Sequence, residues 1–384
     1  MKAIGRMIRK RKGISVLLWA LLAILLFTGQ SCDKESDDGV LPQIPIDQAS
    51  DQTRIISDVF QGEEVVVVGN QKKNFIVSFF RELEGELIEF LPTTKALPVI
   101  MEDADGNEWD VFGMAQSGPD KGKRLKPTRS LMGYWFSIAT FYPGTEIYPN
   151  PDKGPFAGET IEGTDGWTIP RDKVVSGGPG RDGIPSVDNP VFKAEMGSDQ
   201  ELVVGIRRGG EARAYPHFIL DWHEIVNDQM NADYFSIVYC PLTGTATAWN
   251  RNFNGVVTTF GVSGLLYNSN IIPYDRQSNS NWSQLKYEAI SGALIQQQPE
   301  LLQLVETTAA TWGEMYPDTE TLSTQTGHSR SYGSYPYGDY KSSQSLIFNV
   351  GFKDKRLHLK ERVHAIIING QARVYRFDAF KEAL

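Results

Sequence analysis

Cysteine is almost missing from this chain of 384 residues: Cys32 and Cys240 are the only two, so at most one disulfide can form. Long apolar runs are missing as well. The run at residues 14–27 (ISVLLWALLAILLF) is 14 residues long, short of the roughly 20 that a bilayer-spanning helix needs, and a multi-span membrane protein is excluded. Basic residues are outnumbered, 38 against 47 acidic, for a formal net charge of −9. Six of those bases (Lys2, Arg6, Arg9, Lys10, Arg11 and Lys12) fall in residues 1–31, which hold no acid, so the remainder sets 32 against 47, a net −15. A body that acidic repels phosphate backbones, which excludes nucleic acid as a general partner. Also missing are a glycine-rich nucleotide loop, a His-Glu-x-x-His helix, a serine elbow and a paired-cysteine zinc pattern. No named enzyme class is therefore indicated, and no cofactor. What is present, 41% hydrophobic and 22% charged residues, is the composition of a folded protein with room for two domains or one large one.

The basic start followed by the short apolar run reads as a signal peptide over residues 1–31. Cys32, directly after the small residue Ser31, resembles the lipobox of bacterial lipoproteins, whose cysteine is diacylated and becomes the mature N-terminus. Gly29 and Gln30 stand where that pattern has Leu and Ala or Ser. The plainer alternative is secretory cleavage that leaves Cys32 as a free thiol. Residues 32–55, with Pro42, Pro45 and few large apolar side chains, cannot support a core and read as a flexible lipidated tether. The acidic cluster Asp33 to Asp38 resembles the surface-export tags of some lipoproteins. The expected location is the cell envelope, lipid-anchored in the outer membrane with the body facing outward.

An internal repeat organises that body. Residues 203–216 (VVGIRRGGEARAYP) and 363–376 (VHAIIINGQARVYR) both read as β-hairpins, turning at Gly209-Gly210 and Asn369-Gly370. At a constant offset of 160, Glu201, Val203, Ile206, Gly210, Ala212, Arg213 and Tyr215 recur, seven identities in fifteen positions without a gap. A second echo pairs Asn107-Glu108-Trp109 through Tyr142-Pro143 with Ser280-Asn281-Trp282 through Tyr316-Pro317. Together these predict two pseudo-repeats in permuted order. One lies within 199–345; the other is split into 56–150 and the C-terminal hairpin of 346–384, with 151–198 as a Gly/Pro-rich connector. The hairpin at 363–376 should then pack beside residues 60–80.

Strand signals dominate, at 64–68, 74–80, 234–239, 245–249, 256–262 and 346–350, all rich in Val, Ile, Phe, Tyr and Thr. Helix signals are few and short, at 216–227, 309–315 and 378–384. The predicted fold is β-rich α+β, with mainly antiparallel sheets, two pseudo-repeats in permuted connectivity and few short helices.

Long motifs cluster in the middle of the chain: Trp222-His223-Glu224-Ile225-Val226-Asn227-Asp228, Tyr239-Cys240-Pro241-Leu242-Thr243-Gly244, Phe260 to Ser269 and Tyr274-Asp275-Arg276. With Asn281-Trp282-Ser283-Gln284, Ile184 to Pro190 and the segment Tyr332 to Tyr340, they resemble, in order, the bacterial family called domain of unknown function 3179. The resemblance spans about 180 to 378. It implies membership of a family without an established activity. The segment with Trp109 and Tyr142-Pro143 looks like the family's own C-terminal block, placed ahead of the main one. Where the family usually reads Cys-Pro-Leu-Cys, this chain has Thr243, so a redox pair or a two-thiolate zinc site lacks a ligand here.

Cys240 can be read three ways: as a nucleophile with His223 as base and Glu224 or Asp275 orienting it, as a metal ligand with His223, or as a small buried hydrophobe. The split copy has no equivalent His, Glu or Cys, which singles out 222–284 as the working face. Ser263, Asn268, Asp275, Arg276, Trp282, His328 and Tyr337 are the candidate binding residues. Asp275 and Arg276 also read as a structural ion pair, and the four-tyrosine loop around Tyr337 as either a binding surface or a packed cover. His358 and His364 look incidental. The function read from all this is an exported, membrane-anchored lipoprotein that binds a small molecule or a cell-envelope partner. The alternative is a hydrolase or metal-dependent enzyme using His223, Glu224 and Cys240.

Overall fold

The computed structural model describes residues 53–150, 152–154, 162–253 and 255–381; the segment expected to be a signal peptide, Cys32 and nearly all of the expected tether lie outside them. Among the described residues no helix is long and apolar enough to cross a membrane.

The body is β-rich, with short helices and mainly antiparallel sheets, and it is built twice. In the later half the hairpin Leu202–Arg208 and Glu211–Pro216 leads into the helix His217–His223. A three-stranded meander follows, Ile225–Met230, Asp233–Cys240 and Thr245–Asn250, and then a second sheet made by Phe260–Tyr267, Asn270–Asp275, Asn281–Ser283 and Glu288–Ser291. The chain returns as Val305–Thr308, antiparallel to Leu202–Arg208. It passes through the helix Ala309–Met315 and ends in Glu320–Leu322, parallel to Glu211–Pro216.

The same parts occur in the other half, where the chain visits them in another order. The meander Arg54–Phe60, Glu63–Asn70 and Phe75–Phe80 comes first, and a small sheet with Val99–Asp103 and Glu108–Asp110 follows. Ser130–Tyr134, the helix Trp135–Phe141 and Glu146–Ile147 come next. The hairpin they need, Arg362–Ile368 and Gln371–Arg376, arrives last: Ser130–Tyr134 pairs antiparallel with its first strand, and Glu146–Ile147 runs parallel to its second.

The two halves agree residue by residue. Asp58 faces Val65 as Asp228 faces Phe235, and Asn70 faces Phe75 as Cys240 faces Thr245, a constant offset of 170. The equivalent of Cys240 is thus Asn70. A polar frame recurs with the strands. Arg213 bonds Asp228 at 2.9 Å and lies 3.3 Å from Glu320, while Tyr215 donates to Asp228 at 2.5 Å. Arg373 bonds Asp58 at 2.7 Å and Glu146 at 2.5 Å, while Tyr375 donates to Asp58 at 2.6 Å. The expected contact between the C-terminal hairpin and residues 60–80 is present. Ile366, Ile368, Tyr375 and Phe380 share a core with Ile56, Phe60, Val65, Val67 and Ile76.

The four-valine run 65–68 shows why this junction is stable. Val65 and Val67 enter that core, whereas Val66 and Val68 point to the opposite side, against Phe75, Val77, Phe79 and Trp109. All four are fully buried, each a contribution of about 1.5–3 kcal/mol from removing its side chain from water.

Four local expectations are corrected. The helix expected over 216–227 stops at His223, because Glu224 takes a left-handed φ of 59° and from Ile225 the backbone pairs with Asp233–Cys240. The expected strand 256–262 is split into Val256–Val257 and Phe260–Tyr267. Residues 346–350 form no strand: Leu346, Phe348 and Val350 pack on the core, but their backbone joins no ladder. In place of a helix at 378–384 there is a single 3-10 turn, Phe377–Phe380, and residues 382–384 lie outside the described part.

Candidate functional site

The residues picked from the sequence do not all converge on one center: Glu224, Cys240 and Tyr337 are neighbors, His328 lies beside His223, and the others are elsewhere. His223 is buried at the end of its helix, with Nδ1 2.7 Å from the Pro185 carbonyl and Nε2 2.7 Å from the Tyr332 hydroxyl. Both nitrogens are thereby engaged. Burial pushes its pKa down to about 4, so the ring is neutral at pH 7. Glu224, also buried, accepts a 3.0 Å hydrogen bond from Tyr337, and burial pushes its pKa up to about 7. Cys240 is buried, and its thiol faces the Ser269 carbonyl at 3.6 Å. Burial, and then the neighboring Glu224 charge, push that thiol up to about 11. A thiolate nucleophile needs a base or a cation beside it, and here the neighbor is an acid. Among the described residues no three His, Cys, Asp or Glu side chains form a group that could hold a metal ion.

Trp282 and Asp275 belong to the frame. Trp282 is fully buried and its indole donates to Asp275 at 3.1 Å; in the other half Trp109 donates to Asp103 at 2.8 Å. A pair repeated inside both cores holds the fold and is out of reach of a ligand. Asp275 and Arg276 are not partners of one another: Arg276 reaches back to Asp182 at 2.8 Å and Ser186 at 3.0 Å, fastening the connector to the body. Ser263 is buried at a bulge, where its hydroxyl donates to the Ile272 carbonyl and accepts from the Leu265 amide. Asn268, at a hairpin turn with φ of 48°, accepts from the Gly351 amide at 2.9 Å. His328 is exposed, its ring 5.7 Å from that of His223. Thr243 is buried in a polar network with Thr245 at 2.8 Å and Asn270 at 3.0 Å.

The tyrosine loop is a cover. Tyr335, Tyr337 and Tyr340 pack on the core around Cys240 and Leu242. Lys360, fully buried, clips the loop's end by donating to the carbonyls of Tyr340, Ser343 and Ser345.

What the fold does build is a cavity of about 830 Å³ between the two halves. Equivalent positions of both halves line it, as around a two-fold axis: Gly244 and Asn74 from the meander turns, Thr308 and Tyr134 from the residues preceding the short helices, Leu202 and Arg362 from the hairpins. His217 and Phe377 are a further pair, as are Gln200 and Lys360. Frame residues are the same in the two halves; these are not.

The most polar wall is at His217. Its Nε2 lies 3.1 Å from the Glu306 carboxylate, which is only 1% exposed, and its Nδ1 lies 3.4 Å from the Tyr239 hydroxyl. Arg362, from the other half, brings Nη2 to within 3.6 Å of the same Glu306 oxygen and donates through Nη1 to Asn74 at 3.2 Å. One helical turn beyond His217, Asp221 pairs with Lys341 at 2.8 Å.

A family model described as "Protein of unknown function (DUF3179)" matches residues 36–145 and 181–383. The chain belongs to that family. The DUF3179 match takes in both halves of the body and brackets the cavity. No curated protein and no solved structure matches the chain.

Sequence reasoning missed His217, Tyr239, Glu306 and Arg362. The signal was available for two of them. At the same offset of 160 that reveals the hairpin repeat, His217 faces Phe377 and Arg362 faces Leu202, changes from apolar to polar that stand out against the preserved frame.

Proposed function

We propose that this protein is an exported lipoprotein, anchored through Cys32 in the outer membrane, whose body binds a small molecule in the cavity between its two halves. The observation that carries this reading is the cavity itself. Its volume of about 830 Å³ lies within the range of roughly 300–1,000 Å³ typical of ligand sites, and its lining differs between halves whose frames are alike. A duplicated scaffold that keeps its framework while the residues facing the junction diverge supports a use at that junction. The basic leader, the short apolar run and Ser31-Cys32 support the anchor.

Two experiments test the parts separately. For the anchor, Cys32→Ala should move the protein out of the membrane fraction; unchanged sedimentation with membranes overturns lipidation. For the cavity, small molecules released by denaturing the purified full-length protein are compared with those from Ala310→Trp, which places an indole in the opening. Release from the wild type alone supports the reading. Equal release from both, or none from either, counts against it.

A further inference from the structure

We propose that the cavity takes an organic anion, its carboxylate or phosphate group held between Arg362 and His217 and its apolar part against the aromatic wall. This rests on the binding reading above and names the ligand's chemistry.

Arg362 and His217 come from opposite halves, and a single carboxylate, Glu306, draws both toward it. That carboxylate is buried, so its attraction is screened little by water. Yet the geometry stays incomplete: His217 Nε2, Arg362 Nη2 and both Glu306 oxygens lack an aligned hydrogen bond. Such groups are costly to bury, and His217, which lines the cavity at 5% exposure, turns Nε2 toward Glu306 without completing a hydrogen bond to it. An oxyanion placed there would supply the missing acceptor to the fork of Arg362, the side chain best shaped for carboxylate or phosphate. Glu306 is then a positioning residue that holds the two donors from behind.

Bases outnumber acids in the lining, seven Lys and Arg against Glu314, Glu361 and Asp378, in a protein whose overall net charge is −9, although Lys73, Lys341 and Lys381 are paired with Glu314, Asp221 and Asp378. A locally basic cavity in an acidic protein selects an anion at short range, since the field of the whole molecule does not draw it in. The lining also has apolar residues: Leu202 and Phe377 occupy the positions equivalent to Arg362 and His217, Phe377 lies 5.9 Å from the Arg362 guanidinium, and Tyr134 adds another ring. Each half thus contributes one donor and one apolar residue, which suits a ligand with a charged head and an aromatic or aliphatic body.

The test is calorimetric titration of the full-length protein in detergent with four probes: benzoate, phenyl phosphate, benzyl alcohol and benzylamine. One or both anions should bind at one site, more weakly as salt rises from about 50 to 500 mM, and the preferred anion tells a carboxylate from a phosphate ligand. Arg362→Gln should weaken that probe at least about tenfold, and Arg362→Lys, which keeps the charge without the fork, should fall between. The salt dependence needs no variant, so it stands even where Arg362→Gln misfolds. Equal or tighter binding of benzyl alcohol or benzylamine overturns the anion assignment while leaving the cavity as a binding site. Failure of all four probes removes both.

Discussion

Tyr375 donates a 2.6 Å hydrogen bond to Asp58, a residue 317 positions earlier in the chain. The same bond in the later half, Tyr215 to Asp228, spans only 13 positions. One contact therefore closes a half whose parts lie at opposite ends of the folded body, and its twin serves a half that is continuous in sequence.

Replacing either carboxylate takes one of two acidic partners from Arg373 or Arg213 and the charged acceptor from Tyr375 or Tyr215. Asp58→Asn and Asp228→Asn should each destabilise the protein by about 2 kcal/mol, the scale of weakened hydrogen bonds to a charged group, measured by urea unfolding. Asp58→Asn should in addition loosen the C-terminal hairpin first, seen as early hydrogen exchange in 362–376. Uniform loosening in both variants would mean that the split half is not held by this contact.

Cys240 should be inert to a thiol reagent at neutral pH and react fully once the chain is unfolded. Burial excludes the reagent, and a thiol pushed up to about 11 holds almost no thiolate at pH 7. Rapid stoichiometric labelling of the native protein would restore the nucleophile reading.

Glu224 sets a pH dependence of known sign. Its folded pKa of about 7 lies above the ordinary 4.5, so between those values the unfolded chain releases a proton that the folded one keeps. Stability from this group is complete below pH 4.5 and lost as pH rises through 7. Glu224→Gln cannot ionise, so its stability relative to wild type should climb across that window, by about 3 kcal/mol at most. Thermal midpoints of both proteins from pH 4.5 to 8 read the difference directly; a constant gap would place the carboxylate in contact with solvent.

Lys360→Met should free the tyrosine loop. Three carbonyls, on Tyr340, Ser343 and Ser345, lose their donor, at a cost of about 2–3 kcal/mol. Limited proteolysis should then cut within 332–345, with the meander strands still protected. Resistance equal to wild type would show that the tyrosines alone hold the cover.

Much of the architecture was legible before the structure. Hairpins at 203–216 and 363–376 were marked by short apolar runs and glycine turns, both local signals. Their shared register exposed the repeat, and the permuted order followed from where the echoes fell. Segment 346–350 has strand composition, yet no neighboring strand offers it a ladder, and composition cannot report the absence of a partner. The motif residues Asp275 and Trp282 looked like binding groups because they sit in a long specific motif. Their twins Asp103 and Trp109 reveal a buried indole–carboxylate pair, needed wherever that turn is folded.

By itself, then, the sequence determined the strand-rich character, the duplication, the split order and the Arg and Tyr that recur in both hairpins. These depend on spacing along the chain. The cavity was decided only in three dimensions, because its polar wall brings together His217, Tyr239 and Arg362 in front of the buried Glu306, and nothing local in the sequence says that they meet. The fate of the cysteine was decided there too: Cys240 stands alone after a strand in the sequence, and burial beneath the tyrosine loop beside an acid keeps its thiol protonated.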